Sequence, residues 1–330
     1  MERPVIAFCL GDLAGIGPEI TLKALAQPDV RAGCRALAIG DAAHLAALKG
    51  IVETEVRWRE TASIAEAQWE PGVVDVLCPD DARGVGAMWG HLDPACGAAA
   101  AACLRAAYEA AAAGLVHGVV SAPLNKEAFH RAGYGYADEL QWLAHETDSP
   151  DAQMMGVMGR VWTLSLAEHV AFCDILGYVT RERILAGVRR MHRTLVDLGG
   201  ETARVAVAAL NVHGGEGGLL GREELDIIAP AVAEAAAEGI DVYGPIPADM
   251  VFVQALANRY DGVVAMHHDQ ANIARKLQPM SEGATVFCGL PVYCATTAHG
   301  TAFDIAGRGV ADPGSLIAAV RVVTRLASAV

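Results

Sequence analysis

The sequence predicts an α/β protein that is built on a mostly parallel sheet and divided into two lobes. Short apolar, β-branched runs alternate with longer segments of helical pattern along the 330 residues, which is typical of crossover units in parallel sheets. Several later runs are followed at once by a loop rich in Gly, His or Asp, where such sheets bind ligands. A chain of this length exceeds the size at which one hydrophobic core keeps growing, so two lobes are expected.

The predicted elements follow one another from the N-terminus. A strand VIAFCL precedes a helix PEITLKALA, and a strand ALAIG precedes a helix AAHLAALKG. A strand VDVLC is followed by an Ala-rich helix from Pro94 to Leu115 and by a strand in GVVSAPL. Further strands are predicted in VWTLSLAEHV, RVAVAALNVHGGEGG, DVYGPIPADM and GVVAMHHD. Because no linker is evident, we place the lobe boundaries by the distribution of the histidine-bearing loops. Residues 1–123 with 284–330 are predicted to form one lobe, and residues 124–283 the other.

Composition and charge exclude several classes of protein. The chain is 53% hydrophobic with a formal charge of −14, and it contains no basic run that would bind nucleic acid. Its eight cysteines form no CxxC pair and lie mostly in apolar segments, as reduced and buried thiols do. We find no signal-peptide or membrane-spanning pattern, so a cytoplasmic protein is expected.

Three predicted strand ends each deliver a histidine, and together they suggest a metal site. The residues are His169 in LAEHV, His213 in LNVHGGEGG and His268 in MHHDQ. Neutral imidazoles are common ligands of zinc and similar ions, and three protein ligands with an open position describe a catalytic site. Three neutral ligands also leave the full charge of the cation available as a Lewis acid. The alternative is that each histidine is simply solvated or hydrogen-bonded.

The neighbouring polar residues have two possible interpretations. His267 and His268 leave a strand in succession and point to opposite sides, so only one of them should face the site. Asp269 and Gln270 either orient the ligating ring or simply open the next turn. Asp249, in PIPADM, is either an oxygen donor or base, or the N-cap of the helix that follows.

Glycine-rich loops and two lysines complete the set of candidates. The loop GDLAGIGPEI lacks the GxGxxG and GxxxxGK patterns and is weak as a phosphate cradle. The glycines of HGGEGGLLGREELD either present amides to an anion or let His213 approach a ligand closely. Lys126 and Lys276 either direct an ammonium at a substrate carboxylate or are simply solvated. AHGTAFDIAGRGVADPG is either a shaped loop that wraps a flat heterocycle or an ordinary irregular connection.

Several of these segments resemble, in order, the motifs of the 4-hydroxythreonine-4-phosphate dehydrogenase family of vitamin B6 biosynthesis. They are GDLAGIGPEI, LNVHGGEGGLLGREELDIIAP, GPIPADMVF, HDQANIARKL, GLP and HGTAFDIAGRGVADPGS, and the likeness runs essentially end to end. The resemblance implies a two-lobed fold similar to isocitrate and isopropylmalate dehydrogenases, with three-layer α/β/α lobes, an active cleft between them and a homodimer that completes each site. It also implies a divalent metal (Zn, Mg, Mn or Co) and NAD or NADP.

The resemblance further implies a reaction and the residues that perform it. The reaction is oxidation of a secondary alcohol by NAD or NADP, followed by loss of CO₂ from the resulting β-keto acid. The family's metal ligands fall on His169, His213 and His268. Lys276 and Asp249 match the family's active-site lysine and aspartate, and one of them is expected to handle protons.

The resemblance assigns the nucleotide to a loop near the C-terminus. His299, Gly300 and Asp304 fall on the segment that is similar to the adenosine-binding loop of the wider superfamily, which replaces a Rossmann fingerprint. His267 occupies a position that usually holds another residue type, so it is not expected to be a ligand.

This chain departs from the family at residues that contact the substrate. Ala137 and Asp138 stand before Glu139 where members with a phosphorylated substrate usually have a His-Thr pair, and Thr285 and Cys294 stand where they carry Asn and Arg. A carboxylate would repel a phosphate dianion, and loss of the arginine removes a bidentate donor.

A non-phosphorylated or differently charged β-hydroxy acid is therefore expected, with Lys126 as a remaining cation. A related branch that oxidises cyclic dihydrodiol carboxylates in aromatic degradation also lacks that arginine and is the alternative. A phosphate acyltransferase, which is similar in fold, needs no three-histidine metal site. A non-catalytic relative is disfavoured by the intact metal and nucleotide motifs.

Overall fold

The computed structural model describes residues 3–199 and 203–328. Its strands are β1 (Val5–Cys9), β2 (Arg35–Ile39), β3 (Arg57–Thr61), β4 (Val73–Leu77), β5 (Gly118–Ser121), β6 (Gln153–Met158), β7 (Val161–Ala167), β8 (Val205–Ala208), β9 (Val242–Ile246), β10 (Gly262–His267), β11 (Gly283–Cys288) and β12 (Tyr293–Thr297). Its helices are α1 (Gly17–Leu25), α2 (Pro28–Gly33), α3 (Ala42–Ala47), α4 (Pro94–Ala112), α5 (Lys126–Arg131), α6 (Glu139–Glu146), α7 (Arg181–Asp197), α8 (Ala229–Ala237), α9 (Ala248–Leu256), α10 (His268–Lys276) and α11 (Gly314–Ser328). The α/β class is confirmed, and every apolar run that the sequence assigns to a strand forms one.

The described residues form two compact units. Residues 3–154 and 283–328 make up the terminal unit, and residues 155–199 with 203–282 make up the central unit. The change of unit therefore falls after residue 154, whereas the sequence places the lobe boundary after residue 123. The reason is that α5 packs closely on α4: a Cβ at Gly97 would lie 2.4 Å from the backbone of Ala128. The second change, after residue 282, lies next to the expected boundary at 283.

The terminal unit is a three-layer α/β/α arrangement. Its strands run in the order β3-β4-β2-β1-β5-β12-β11, and all neighbours are parallel except β12 and β11. The Cys9 thiol faces α4, where it contacts the carbonyl of Cys103 at 3.6 Å. Gly118 of β5 pairs with Ile6, whose side chain points to the sheet face opposite that of Cys9. On that face Gly118 lies against Val323 of α11. Helices therefore cover both faces of the sheet, as a parallel sheet requires.

The central unit repeats this layering with its own strands. They run in the order β6-β7-β10-β8-β9, and only β6 and β7 are antiparallel. On one face, Gly187 of α7 packs against Leu164 and Val264. On the other face, Val263 and Ala265 form a buried cluster with residues of α9. Since β7 and β10 are parallel neighbours, their carboxyl ends meet at the same edge.

The structure also describes the state of the cysteines and the hydrophobic length of the helices. All eight cysteines are free, and six of them are buried. No helix within residues 3–199 and 203–328 is both long enough and apolar enough to cross a membrane.

Candidate functional site

A cluster of possible metal donors lies at the carboxyl ends of β7 and β10. Glu168 and His169 follow β7, and His268 is the first residue of α10, directly after β10. The register pairs His267 with Ala167, so the two chain segments leave the sheet side by side. The candidate donor atoms of Glu168, His169 and His268 all lie within 4.8 Å of one another. Parallel pairing of two strands has therefore brought together residues that are a hundred positions apart.

The chemistry of these donors fits a divalent cation. A bound ion holds nitrogen and oxygen ligands at about 2.0–2.2 Å, so the donors of this cluster need only a small side-chain movement to share one ion. The rings of His169 and His268 lie with their centroids 5.9 Å apart. Two imidazoles suit zinc or cobalt, and the carboxylate suits magnesium or manganese as well.

The ring of His268 is oriented by its neighbour Asp269. Nδ1 of His268 lies 2.8 Å from Oδ1 of Asp269, which leaves Nε2 for a ligand. Gln270 does not orient the ring. Its amide oxygen accepts a hydrogen bond from the Met266 amide and its nitrogen donates to the Ala209 carbonyl, so it fastens the turn to the end of β8.

His267 lies outside the donor cluster. It is the last residue of β10, and its ring meets that of Phe172 edge-on, with centroids 5.9 Å apart. Burial lowers the pKa of His267, and the nearby Asp269 carboxylate opposes this effect. The two successive histidines therefore have different surroundings, as the strand geometry predicts.

Glu168 is a candidate donor that the sequence reasoning missed. Its side chain is half-buried, and burial raises the pKa of its carboxyl, while a hydrogen bond from Ser165 and the nearby His268 lower it. The available signal was its position beside His169 at the end of a strand that already delivered one candidate. A carboxylate here also changes the electrostatics, because the cluster no longer consists of neutral imidazoles alone.

His213 lies on an exposed loop and is not part of this cluster in the described chain. Its Nδ1 is 3.0 Å from Oε1 of Glu216, and two-thirds of its side chain is exposed. Residues 213–217 all have positive φ, which explains the three glycines among them. A Cβ at Gly215 would lie 2.7 Å from the buried Glu224 carboxylate. That carboxylate accepts hydrogen bonds from the amides of Leu210 and Asn211 and so anchors the start of the loop.

The two candidate proton-handling residues also lie in the central unit. Asp249 is exposed in the first turn of α9, whose N-cap is Pro247, so Asp249 is not the cap itself. Lys276 is exposed at the last residue of α10, which begins with His268. At 1.5 Å of rise per residue, about 12 Å of helix separates these two positions. The structure therefore does not bring Lys276 close to His268 of the same chain.

The candidate substrate residues at the start of α5 and α6 surround a buried carboxyl. Lys126 is exposed at the first turn of α5, whereas Asp138 and Glu139 are 4% and 8% exposed. Asp138 caps α6, because its Oδ1 accepts a hydrogen bond from the Gln141 amide at 2.9 Å. Burial raises the pKa of Glu139, the Asp138 carboxylate adds to this, and Lys126 opposes it.

Thr285 and Cys294 lie within the sheet of the terminal unit. Thr285 pairs with Thr296 on β12 and is partly exposed. Cys294 is fully buried beside Tyr108, and burial raises the pKa of its thiol to about 12. The thiol of Cys294 is therefore not accessible from outside the sheet in this structure.

The candidate nucleotide residues lie on the irregular segment that follows β12. His299 is half-buried and its Nδ1 lies 3.0 Å from the Gly300 carbonyl, while Gly300 and Asp304 are exposed. The Thr297 hydroxyl donates to the His299 carbonyl and fixes the start of the segment. These side chains remain accessible on an ordered turn, as a binding loop requires.

The family of the chain follows from comparison with known proteins. The sequence matches the family described as "Pyridoxal phosphate biosynthetic protein PdxA" over residues 32–323. The D-threonate 4-phosphate dehydrogenase of Salmonella typhimurium is 38% identical over 329 residues, which cover 99% of this chain and 100% of that protein. The chain belongs to the PdxA family. The resemblance seen in the sequence motifs is thereby confirmed.

Solved structures of several dehydrogenases share the fold along nearly the whole chain. The 4-hydroxythreonine-4-phosphate dehydrogenase of Klebsiella pneumoniae is 35% identical and has a TM-score of 0.85, with 98% of this chain and 100% of that chain covered. A terephthalate 1,2-cis-dihydrodiol dehydrogenase of Burkholderia xenovorans is 28% identical with a TM-score of 0.69, and 98% of each chain is covered. A β-decarboxylating dehydrogenase of Thermococcus kodakarensis, 14% identical with a TM-score of 0.50 and coverage of 96% and 81%, is similar in fold alone.

Membership of the PdxA family also gives a broad class of activity. The relatives that cover the whole chain are named as dehydrogenases. The chain is accordingly a member of a dehydrogenase family, in the class of oxidoreductases that act on a CH–OH group.

Proposed function

We propose that the protein is a metal-dependent NAD(P) dehydrogenase that oxidises and decarboxylates a β-hydroxy acid. The observation that carries the proposal is the convergence of Glu168, His169 and His268 at one sheet edge, with donor atoms within 4.8 Å of one another. Open α/β sheets bind ligands at the carboxyl ends of their strands, and a divalent ion held there would act as a Lewis acid on an alcohol oxygen. Family relatives named as dehydrogenases support the same class of reaction.

The proposed metal ligands are His169, His268 and His213, with Glu168 as a further oxygen donor. Because His213 of the same chain stands apart on an exposed loop, we assign this ligand to a second copy of the chain. A divalent ion held by these residues would supply positive charge that lowers the cost of building negative charge on the substrate oxygen. Asp269 holds the His268 ring in place through the 2.8 Å contact to its Nδ1.

The reaction divides into two balanced steps. In the first, the C–H bond of the secondary alcohol would break, with its hydride passing to NAD⁺ or NADP⁺ and the hydroxyl proton to a base. In the second, the C–C bond of the β-keto acid breaks, CO₂ leaves, and the resulting enolate takes a proton on carbon. Asp249 and Lys276, both exposed in the central unit, are the proposed groups that accept and return this proton. Because about 12 Å of helix separates Lys276 from His268 of its own chain, Lys276 is assigned, like His213, to the site of the second copy.

The substrate is proposed to be a β-hydroxy acid without a phosphate. Asp138 and Glu139 place two carboxyl groups at the start of α6, and an ionised carboxylate repels a phosphate dianion. The exposed ammonium of Lys126, at the start of α5, is assigned to the substrate carboxylate. Thr285 is assigned a polar contact, and the buried Cys294 is not assigned one.

The nucleotide, NAD or NADP, is assigned to the segment after β12. His299 and Gly300 present an imidazole and an open backbone to the adenine ring, and the exposed Asp304 is suited to accept hydrogen bonds from ribose hydroxyls.

A homodimer is proposed because the central unit exposes apolar surface on two helices. On α9, Met250, Val253 and Leu256 are 43%, 57% and 41% exposed, although the opposite side of this helix is buried and apolar. On α10, Ile273 and Leu277 are 62% and 79% exposed at helical spacing. A helix that is apolar all round normally packs against something on both sides.

Two other activities deserve a direct comparison. The structural likeness to a terephthalate cis-dihydrodiol dehydrogenase favours a cyclic dihydrodiol carboxylate as the alternative substrate of the same site. A phosphate acyltransferase of similar fold is the alternative of another class, and it has no use for the Glu168–His169–His268 cluster.

The deciding experiment is a substrate screen with the purified enzyme. We would follow NADH or NADPH absorbance and CO₂ release with D-threonate 4-phosphate, 4-phosphooxy-threonine, their unphosphorylated forms and dihydrodiol carboxylates. Each assay is repeated after chelation and after addition of Zn²⁺, Mg²⁺, Mn²⁺ or Co²⁺. We expect metal-dependent turnover of an unphosphorylated acid with equimolar CO₂. Ordinary turnover of the phosphorylated acids would refute the substrate assignment, and turnover that survives chelation would refute the metal.

A further inference from the structure

The segment GDLAGIGPEI has no role in the proposed chemistry, and its backbone is already occupied. The amides of Asp12 and Gly15 donate to the carbonyls of Pro123 and Asp12 at 2.9 and 3.1 Å. The Ala14 amide donates to Oδ1 of Asp12 at 2.9 Å. The Ile16 amide donates to the Thr301 carbonyl at 3.0 Å. A loop whose amides are used internally does not cradle a phosphate, so the segment needs another explanation.

The first link of this segment is to the start of the candidate nucleotide loop. Besides the hydrogen bond from Ile16, Gly15 packs so closely on Thr301 that a Cβ there would lie 2.9 Å from the threonine. Gly90, whose amide donates to the Ala14 carbonyl, would place a Cβ 2.8 Å from the Phe303 carbonyl. The glycines allow backbones to approach at this point, and Thr301 is fixed as a result.

The second link is a partly buried ion pair on α1 that holds the end of the same loop. Glu19 is 1% exposed and Lys23 lies one turn later, with Nζ 2.8 Å from Oε1. The Glu19 carboxylate accepts hydrogen bonds from the amides of Gly309 and Ala311 at 3.2 and 2.7 Å. The Lys23 ammonium donates to the carbonyls of the same two residues at 2.9 and 2.7 Å. The pair thus satisfies both backbone groups of both residues.

The residue between Gly309 and Ala311 directs its side chain outward, as expected for an extended segment. Val310 is 65% exposed, whereas Ala311 is buried. Two glycines allow close packing in the same stretch. A Cβ at Gly307 would lie 2.0 Å from the Trp89 ring, and a Cβ at Gly309 would lie 2.4 Å from the Ile51 carbonyl oxygen. Both glycines have positive φ. Residues 302–306 are therefore an arch between two fixed ends, and the exposed Asp304 lies at its centre.

We propose that Glu19 and Lys23 are positioning residues for nucleotide binding, because together they hold the 301–311 loop in its binding conformation. The inference rests on the proposed function, in which this loop takes the adenosine. Neither side chain touches the nucleotide. Their effect is to lower the conformational freedom that the loop loses when the nucleotide binds.

The test combines hydrogen exchange with nucleotide kinetics. Glu19→Gln keeps the shape but weakens the acceptor, and the double change Glu19→Met with Lys23→Met removes both charges without leaving one buried and unpaired. In both variants we expect faster hydrogen exchange of the backbone amides at residues 309–311. Because charged buried hydrogen bonds are lost, we also expect a KM for NAD(P) that is raised about ten-fold. The value of kcat at saturating nucleotide should change by less than about two-fold, since no group at the reacting atoms is altered.

Asp29→Asn is the matched control. Asp29 pairs with Arg321 in the same unit, but the pair is exposed at 52% and 64%, so its loss should change neither exchange nor KM. Faster exchange with an unchanged nucleotide KM would overturn the inference, and so would unchanged exchange in both variants. If the wild type neither binds nor uses a nucleotide, the proposed function fails, and the exchange data alone then decide whether the pair holds the loop.

Discussion

The terminal and central units differ in where they keep their apolar and charged side chains. Of the seventeen large hydrophobic residues that are exposed in the described chain, fourteen lie in the central unit, although it is the smaller of the two. Buried carboxylates show the opposite distribution. Asp12, Glu19, Asp75, Asp138 and Glu139 lie in the terminal unit, and among the described residues only Glu224 is buried in the central one.

This contrast indicates that the two units use their charged and apolar side chains for different purposes. The terminal unit uses buried carboxylates to fix loops: Asp75, for example, accepts hydrogen bonds from Arg59 and from the amides of Gln68 and Trp69. The central unit leaves its candidate metal donors and its apolar helix faces at least partly accessible. We infer that the terminal unit is complete within one chain, whereas the central unit is completed by an ion and by a second copy.

The largest expected effect tests whether the chemistry depends on the donors of the central unit. His268→Ala removes a proposed ligand whose ring lies beside that of His169. We expect kcat/KM to fall on the order of a thousand-fold, because the metal contributes several kcal/mol to the transition state. Metal content should fall in parallel when it is measured by mass spectrometry of the purified protein.

His267→Ala is the control for this change. It removes the adjacent imidazole, which packs on Phe172 outside the donor cluster, and metal content should be retained. Equal loss of metal in both variants would show that the turn, and not the ligand, was damaged.

The second prediction tests the exposed apolar surface. Val253→Glu introduces a charge on the exposed side of α9, and burying that charge in a dimer interface would cost several kcal/mol. We expect a dimer to become a monomer at micromolar concentration in light scattering, with loss of activity because His213 is no longer supplied. Leu115→Glu, at a residue of the terminal unit that is 46% exposed, should change neither property. A wild-type monomer with full activity would contradict both the dimer and the shared ligand.

The sequence predicts eight of the twelve strands in the described chain, because their signals are local; it does not predict β3, β6, β11 or β12. Apolar runs with period two or 3.6, and loops that follow strands, depend on neighbouring residues only. The packing of α5 on α4 through Gly97 and Ala128 is a contact between distant residues, and it moves the unit boundary to residue 154. Likewise, the full burial of Cys294 beside Tyr108 cannot be read from a position on a strand.

The candidate site is only partly predictable for the same reason. His169 and His268 could be selected because each follows an apolar strand, and the parallel pairing of β7 with β10 brings them together. Glu168 was missed, since its proximity to His268 depends on the irregular backbone after β7. His213 also follows a strand, but five successive positive φ angles place it on an exposed loop.

The third prediction concerns the missed donor. Glu168→Gln keeps the size of the side chain and removes its charge, so we expect the metal affinity to fall by roughly ten-fold and less than in His268→Ala. A chelator competition titration measures this directly, and the absorption spectrum of the Co²⁺-loaded protein should also change. Asp226→Asn, which breaks an exposed ion pair with Arg222 in the same unit, is the control. Unchanged affinity in Glu168→Gln would exclude the carboxylate as a ligand.

The smallest effect concerns a buried carboxyl of the terminal unit. Asp12 is fully buried, its Oδ2 has no hydrogen-bond partner among the described residues, and burial raises its pKa from 3.8 to about 6. Because the folded state holds this proton more tightly than the unfolded state, the contribution of Asp12 to stability is fully present below about pH 4 and is lost as the pH rises through about 6. The difference corresponds to roughly 2–3 kcal/mol in the free energy of unfolding.

Asp12→Asn should remove this dependence while its side-chain oxygen still accepts from the Ala14 amide. The free energy of unfolding is measured with urea at pH 4.5, 5.5 and 7.5. The free energy of the variant, relative to that of the wild type, should increase as the pH rises. Asp29→Asn provides the contrast, because the hydrogen bond with Arg321 lowers the pKa of Asp29 and its titration lies below this window. A wild type and Asp12→Asn with parallel profiles would mean that Asp12 stays ionised, and the terminal unit would then tolerate a buried charge that it neither pairs nor protonates.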